Sequence, residues 1–165
     1  MPRIAILTAS DKGAAGERAD ESGATIASLC RAAGHEVVRS EVVPDDRETI
    51  AATLAAWCDR GIADIVVTTG GTGLTARDVT PEATREIAER DVPGIPLALA
   101  LEGLKKTRFA ALSRGVAVTR AQTLVVNLPG SPKAVSEGMD VLLPLFGHIA
   151  ELLAGPIEHG VRDLP

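Results

Sequence analysis

The chain has 165 residues, 45% of them hydrophobic and 24% charged, with a net charge of −5. That length suits one domain with its own core, and the acidic balance, with one Trp, two Phe and no Tyr, argues against a nucleic-acid partner. No apolar run reaches membrane-span length, no signal peptide precedes the first strand, and Cys30 and Cys58 stand alone without CxxC spacing, so a cytoplasmic protein with no membrane partner is expected.

Arg3–Ala9 (RIAILTA) reads as a short apolar strand ending in a polar loop, Ser10–Gly13. The spacing of Ile26, Leu29 and Cys30 predicts a helix from about Glu21 to Ala33, with Gly34 as its C-cap. Glu36–Val43 is rich in β-branched residues and makes a second strand. Pro44-Asp45-Asp46 leads into a helix reaching about Asp59, with Ile50, Leu54 and Trp57 on one face. Ile65–Thr69 is a third strand, almost purely apolar, as a strand buried on both faces should be. Thr80 as N-cap and Pro81 at the first position open a helix over Pro81–Glu89, which Val92–Pro96 breaks. A further helix is expected over Leu97–Lys106. Val116–Thr119 and Thr123–Leu128 read as strands joined by a tight turn, so one of them runs antiparallel to the rest. Ser131-Pro132 opens a last helix to about Leu153.

The alternation predicts an α/β fold of three layers: a doubly wound, mostly parallel sheet of about five strands, one antiparallel, with helices on both faces. Residues 1–155 form the domain and 156–165 a polar tail. In such a sheet the loops after the strand C-termini share one edge, where ligands bind. Those loops are Ser10–Gly13, Pro44–Asp46, Gly70–Asp78 and, if Val116–Thr119 is the antiparallel strand, Asn127–Lys133.

The stretch Thr68–Thr84, TTGGTGLTARDVTPEAT, concentrates the chemistry. Gly70, Gly71 and Gly73 leave backbone N–H groups uncovered, so an anion can approach closely, and the following helix start adds partial positive charge. An acid, Asp78, stands where phosphate is expected, which makes best sense with a divalent cation between them. Asp45 or Asp46 also reads as a plain N-cap, Asp78 as a turn residue and Ser131-Pro132 as a routine helix start. Arg77, Arg114, Lys105, Lys106 and Lys133 are surface cations of which one or two near the rim would clamp phosphates. There is neither a Walker A loop nor a GxGxxG.

The segments TTGGTG, RDVTPEAT, LSR at Leu112–Arg114 and NLPGSPKAV at Asn127–Val135, with SDK near the start and PDD at Pro44–Asp46, resemble the molybdopterin-binding family of molybdenum cofactor biosynthesis. The resemblance runs from Ile4 to about Gly155 and is nearest the stand-alone Mog/MoaB-type proteins, similar to the gephyrin G domain. It implies molybdopterin adenylyltransferase activity, with ATP as co-substrate, Mg²⁺ as cofactor and molybdopterin as the accepting partner. By position, Asp45 and Asp78 match the family's catalytic, metal-linked aspartates. Gly70, Gly71, Thr72 and Gly73, with Ser10 and Asp11, match the nucleotide-binding end. Ser113 and the segment Asn127, Pro129, Gly130, Ser131 and Pro132 match the substrate groove. A homotrimer and hand-over to a molybdate-insertion enzyme are implied as well. Two alternatives are a non-catalytic trimeric pterin-binding scaffold and a Mg²⁺-dependent nucleotide pyrophosphatase.

Overall fold

A computed structural model describes residues 1–155; the expected tail, 156–165, lies outside the described residues. In chain order the elements are β1 (Arg3–Ala9), α1 (Asp11–Ala14), α2 (Glu21–Ala32), β2 (Glu36–Val43), α3 (Arg47–Asp59), β3 (Ile65–Thr69) and α4 (Thr80–Glu86). Then follow β4 (Arg90–Asp91), α5 (Gly94–Leu104), a 3₁₀ turn (Arg108–Leu112), β5 (Ala117–Arg120), β6 (Thr123–Leu128) and α6 (Pro132–Ala154). The strands form one sheet in the order β2-β1-β3-β6-β5-β4.

β2, β1, β3 and β6 are parallel neighbours, and β5 pairs antiparallel with both β6 and β4. β5 is therefore the reversed strand, and its reversal returns β6 to the common direction, so the Asn127 loop opens on the same edge as the others. Ile4, Ile65 and Leu124 lie side by side across the sheet centre. Because successive residues of a strand face opposite ways, β1, β3 and β6 fill two cores. Ile4, Ile6, Val67 and Val126 pack with Ile26, Met139, Leu142 and Phe146 on the face covered by α2, α5 and α6. Ala5, Leu7, Val66 and Val125 pack with Ile50, Leu54, Trp57 and Ile87 beneath α3 and α4. The three layers are those expected.

Several local expectations are corrected. Among the described residues the sheet has six strands, because the exposed pair Arg90–Asp91 joins β5 as an edge; two polar residues carry no strand periodicity. α4 stops at Glu86 to make room for it. Ser10–Gly13 is no simple loop: Ser10 accepts from Gly13 N–H and caps the short α1. α5 begins at Gly94, with Pro96 in its first turn, where the missing N–H has no helical partner to lose. Thr80 lies inside α4, while Val79 holds the cap position with no side-chain bond. At the far edge, β2 carries the Arg39–Glu41 ion pair, and the Arg39 guanidinium lies 5.3 Å from the Trp57 ring centroid.

The β5–β6 hairpin closes through the two residues between Arg120 and Thr123, and Ala121 holds φ at 50° there. An L-residue with a Cβ is strained in that left-handed conformation. Ala121→Gly should therefore raise stability by about 0.5–1 kcal/mol in urea unfolding, the relief outweighing the extra chain entropy of glycine.

Candidate functional site

β1 and β3 are adjacent, yet the chain leaves β1 toward β2 on one side and later returns to β3 on the other. The loops after β1 and β3 thus diverge at a switch point, where a crevice must open. Gly70 leaves β3 with φ +90°, and a Cβ there would stand 2.4 Å from the Ala9 carbonyl oxygen. Gly71 follows with φ +66°, and its Cβ would meet Thr80 Oγ1 at 2.3 Å and Asp45 Oδ1 at 3.3 Å. Only glycines let this chain pass so close to β1 and α4. Opposite, the Pro129–Gly130 turn is fixed by Thr69 Oγ1 donating to the Pro129 carbonyl at 2.7 Å and by Ser22 Oγ donating to the Gly130 carbonyl at 2.6 Å.

Two clefts meet at this edge. The larger, of about 570 Å³, has an apolar wall from α5 and the 3₁₀ turn (Pro96, Leu99, Phe109, Leu112) and a polar rim of Thr72, Gly73, Ser113, Asn127, Pro129 and Ser131. The smaller, of about 460 Å³, lies at the switch point and is lined by Thr8, Ser10, Asp20, Asp45, Gly70 and Pro132 among others. Gly71, Asp78 and Gly130 line both. They form the ridge between the clefts.

The acids are held in distinct ways. Asp46, not Asp45, is the N-cap of α3, accepting from Thr49 N–H at 2.8 Å. Asp45 is left for the site. Its Oδ2 accepts from the Asp11 N–H at 3.0 Å, and its own N–H donates to Asp11 Oδ1 at 2.9 Å, a reciprocal brace between two loops. Asp78 Oδ2 accepts from both the N–H and the hydroxyl of Thr75, at 2.9 and 2.7 Å. Each carboxylate keeps one oxygen outside these bonds. Burial pushes the Asp45 carboxyl above its ordinary value, partly offset by the Asp11 N–H, and the negative charges of Asp11 and then Asp78 push it further up. Asp11 moves the other way: the guanidinium of Arg77, bonded to it at 2.8–3.0 Å, holds its carboxyl below the usual range.

Magnesium commonly takes one or two carboxylates and completes its shell with water and substrate phosphates. The residues fit that mode. Asp45 and Asp78 present one uncommitted oxygen each, and the fully buried Thr80 hydroxyl, with no partner among the described residues, lies against Gly71 on the Asp45 side.

The structure brings most of the expected residues to the two clefts. Asp11 lines neither, its carboxylate being committed to Arg77 and the Asp45 backbone. Asn127 lines the larger cleft but its amide is taken: Nδ2 donates to Thr68 and Thr84 hydroxyls at 2.9 and 3.0 Å, and Oδ1 accepts from Val116 N–H at 3.1 Å. Ser131 Oγ caps α6 through Ala134 N–H at 3.2 Å. Of the surface cations, Arg77 and Arg114 are both bound within the protein, Arg114 to Gly73, Asp78 and Glu82. Sequence reasoning missed the apolar wall: Leu99 read as part of the Leu97–Lys106 helix, Leu112 entered only through the LSR segment, and Phe109 was given no role.

Comparisons with known proteins bear on the family and the fold. Residues 5–148 match the sequence model of a family described as "Probable molybdopterin binding domain". The molybdopterin adenylyltransferase of Helicobacter pylori strain J99 is 36% identical over 154 residues, covering 92% of this chain and 88% of its own. The crystal structure of the molybdopterin biosynthesis enzyme MoaB from Thermus thermophilus superposes with a TM-score of 0.88 at 47% identity, covering 94% of this chain and 98% of that one. Drosophila melanogaster molybdenum cofactor synthesis protein cinnamon is 38% identical over 154 residues; the match covers 93% of this chain but only 26% of that protein.

The glycine geometry has a ligand-free test. Gly70→Ala meets a backbone oxygen at 2.4 Å from a left-handed φ, whereas a Cβ at Gly130 makes an ordinary 3.4 Å contact. Urea unfolding should show a loss of about 2–4 kcal/mol for the first and under about 1 kcal/mol for Gly130→Ala. The loop that demands these glycines lies within the matched segment, and by that match the chain belongs to the molybdopterin binding domain family.

Proposed function

We propose that the chain is a molybdopterin adenylyltransferase. It transfers AMP from ATP to the terminal phosphate of molybdopterin and releases pyrophosphate. The observation that carries this is the pair of clefts meeting at Gly71, Asp78 and Gly130. A transfer between two phosphate-bearing substrates needs two pockets with a shared seam. The larger cleft, with its apolar wall, suits a flat pterin ring, and its polar rim suits the attached phosphate. The smaller, polar cleft and the glycine loop suit the nucleotide.

In the step itself, an oxygen of the pterin phosphate attacks the α-phosphorus of ATP. A new P–O bond forms, the bond to the β-phosphate bridge breaks, and its electron pair leaves with pyrophosphate. No protein nucleophile is required. The chain's residues act by positioning and charge: the N–H groups of Gly71 to Gly73 approach phosphate oxygens, that of Gly70 being spent on the Leu128 carbonyl, and Ser113 and the Pro129–Ser131 turn hold the acceptor. Asp45 and Asp78 would hold Mg²⁺, which when bound offsets the charge developing on the phosphates. The phosphate oxygens would supply the ligands these two acids leave open.

The same reading extends to context. The exposed leucines of α5, Leu97, Leu101 and Leu104, support self-association, which we read as the family-like homotrimer. Among the described residues no helix is long and apolar enough to cross a membrane, and Cys30 and Cys58 are unpaired, which supports a cytoplasmic place. The adenylylated product is handed to a molybdate-insertion enzyme.

Purified protein with molybdopterin, ATP and Mg²⁺ should yield pyrophosphate and adenylyl-molybdopterin. Asp78→Asn keeps an oxygen for the Thr75 donors, so the fold should hold while turnover falls by about 10²–10³-fold. Gly71→Val should displace the ridge common to both clefts, since its Cβ meets Thr80 Oγ1 at 2.3 Å from a left-handed φ, and should weaken nucleotide and pterin binding alike by at least tenfold. Tight pterin binding by the wild type without turnover would move the protein to the scaffold reading, and pyrophosphate from nucleotide alone to the pyrophosphatase.

A further inference from the structure

Arg114 follows Ser113, a residue of the larger cleft's wall, and among the described residues its hydrogen-bond donors reach the glycine loop and α4. Its backbone N–H donates to the Thr72 carbonyl at 3.0 Å. Its guanidinium donates through Nε to the Gly73 carbonyl at 2.7 Å and through one terminal nitrogen to the Asp78 carbonyl at 2.7 Å. The other terminal nitrogen pairs with Glu82, two residues into α4, whose carboxyl that contact holds below its ordinary value. The loop between Thr72 and Asp78 contains no helix or strand. Its internal bonds are local: Asp78 N–H to the Thr75 carbonyl at 3.1 Å, and the Thr75 donors to the Asp78 carboxylate. Arg114 thus fastens both ends of this small ring from outside.

The geometry points to Arg114 as a positioning residue that sets Asp78. This deepens the proposed function and rests on it for the cation at Asp78. The planar fork is what the role demands, because its donors leave in fixed directions toward Gly73, Glu82 and Asp78 together. A lysine ammonium can pair with Glu82 but cannot hold both carbonyls in that arrangement. Of the five surface cations offered by the sequence, Arg114 is not one left to clamp phosphates, since its donors face the protein.

The test compares wild type with Arg114→Lys, and with Arg114→Met in case Lys finds a substitute contact. Amide exchange followed by NMR should speed at least tenfold at Thr75 and Asp78 in Arg114→Lys, while Val66 and Val125 in the sheet stay within twofold. Mn²⁺, titrated with a non-hydrolysable ATP analogue and read by electron paramagnetic resonance, should bind about tenfold more weakly, with molybdopterin affinity within twofold. Unchanged exchange at Thr75 in both variants, or equal acceleration in the sheet, overturns the assignment. So does an unchanged Mn²⁺ affinity. The exchange arm needs no ligand: a wild type that transfers no adenylyl group refutes the proposed reaction and leaves the exchange result to decide Arg114.

Discussion

The Asn127 amide is the fastening on which the working edge depends. Its side chain is almost fully buried, and its bonds to Thr68, Thr84 and the Val116 N–H join β6 to the end of β3, to α4 and to the chain entering β5. A buried amide with its oxygen and nitrogen both engaged favours one arrangement of the surrounding elements, because any other leaves polar groups unpaired. β3 must end in register with β6 for Thr68 to reach it, and that register delivers the Gly70 and Pro129 turns to the same height. The ridge between the clefts follows from this alignment. Asn127 is therefore better understood through what it holds than through what it would touch.

Much of the architecture was legible because the signals were strong and local. β1 and β3 are short apolar runs, α2 and α3 carry helical spacing, and Gly34 ends α2 in the left-handed conformation expected of a helix-terminating glycine. The glycine run and its acid announced the site for a similar reason, since clustered glycines after a strand mark a close backbone approach and exposed N–H groups, and an isolated acid beside them marks a cation. What escaped was decided by long-range pairing. Arg90–Asp91 becomes a strand only because β5 offers its free edge. Thr80 looked like a cap by composition, yet the loop swings tightly enough for Val79 to take that place. Asp45 and Asp46 were indistinguishable as neighbours in sequence; the extended backbone of Asp46 turns its carboxylate onto Thr49 and leaves Asp45 facing the crevice. The engagement of Arg77 and Arg114 was equally hidden, because their partners lie 66 and about 32–41 positions away.

The difference in character between the clefts has a structural origin. The smaller one exists because the order of strands reverses beside β1, a property of topology that side chains only decorate. The larger one is built by an excursion, α5 and the 3₁₀ turn, inserted between α4 and the hairpin. Its apolar wall is continuous with exposed leucines on α5. The polar pocket thus belongs to the sheet and the apolar pocket to the insertion, so the two can vary independently while the ridge between them stays fixed.

The outer strand β2 bears on the fate of the folded chain in a concentrated solution. A free strand margin is an open template for recruiting further strands, from copies of the same protein or from unfolded neighbours. Along β2 that template is spoiled by charge: Arg39 and Glu41 stand outward as a pair, and Arg39 is drawn back over Trp57. An incoming strand would have to displace both and bury them. The sheet is finished at that side, and ordered growth into fibrils is discouraged by the same arginine that shelters an indole.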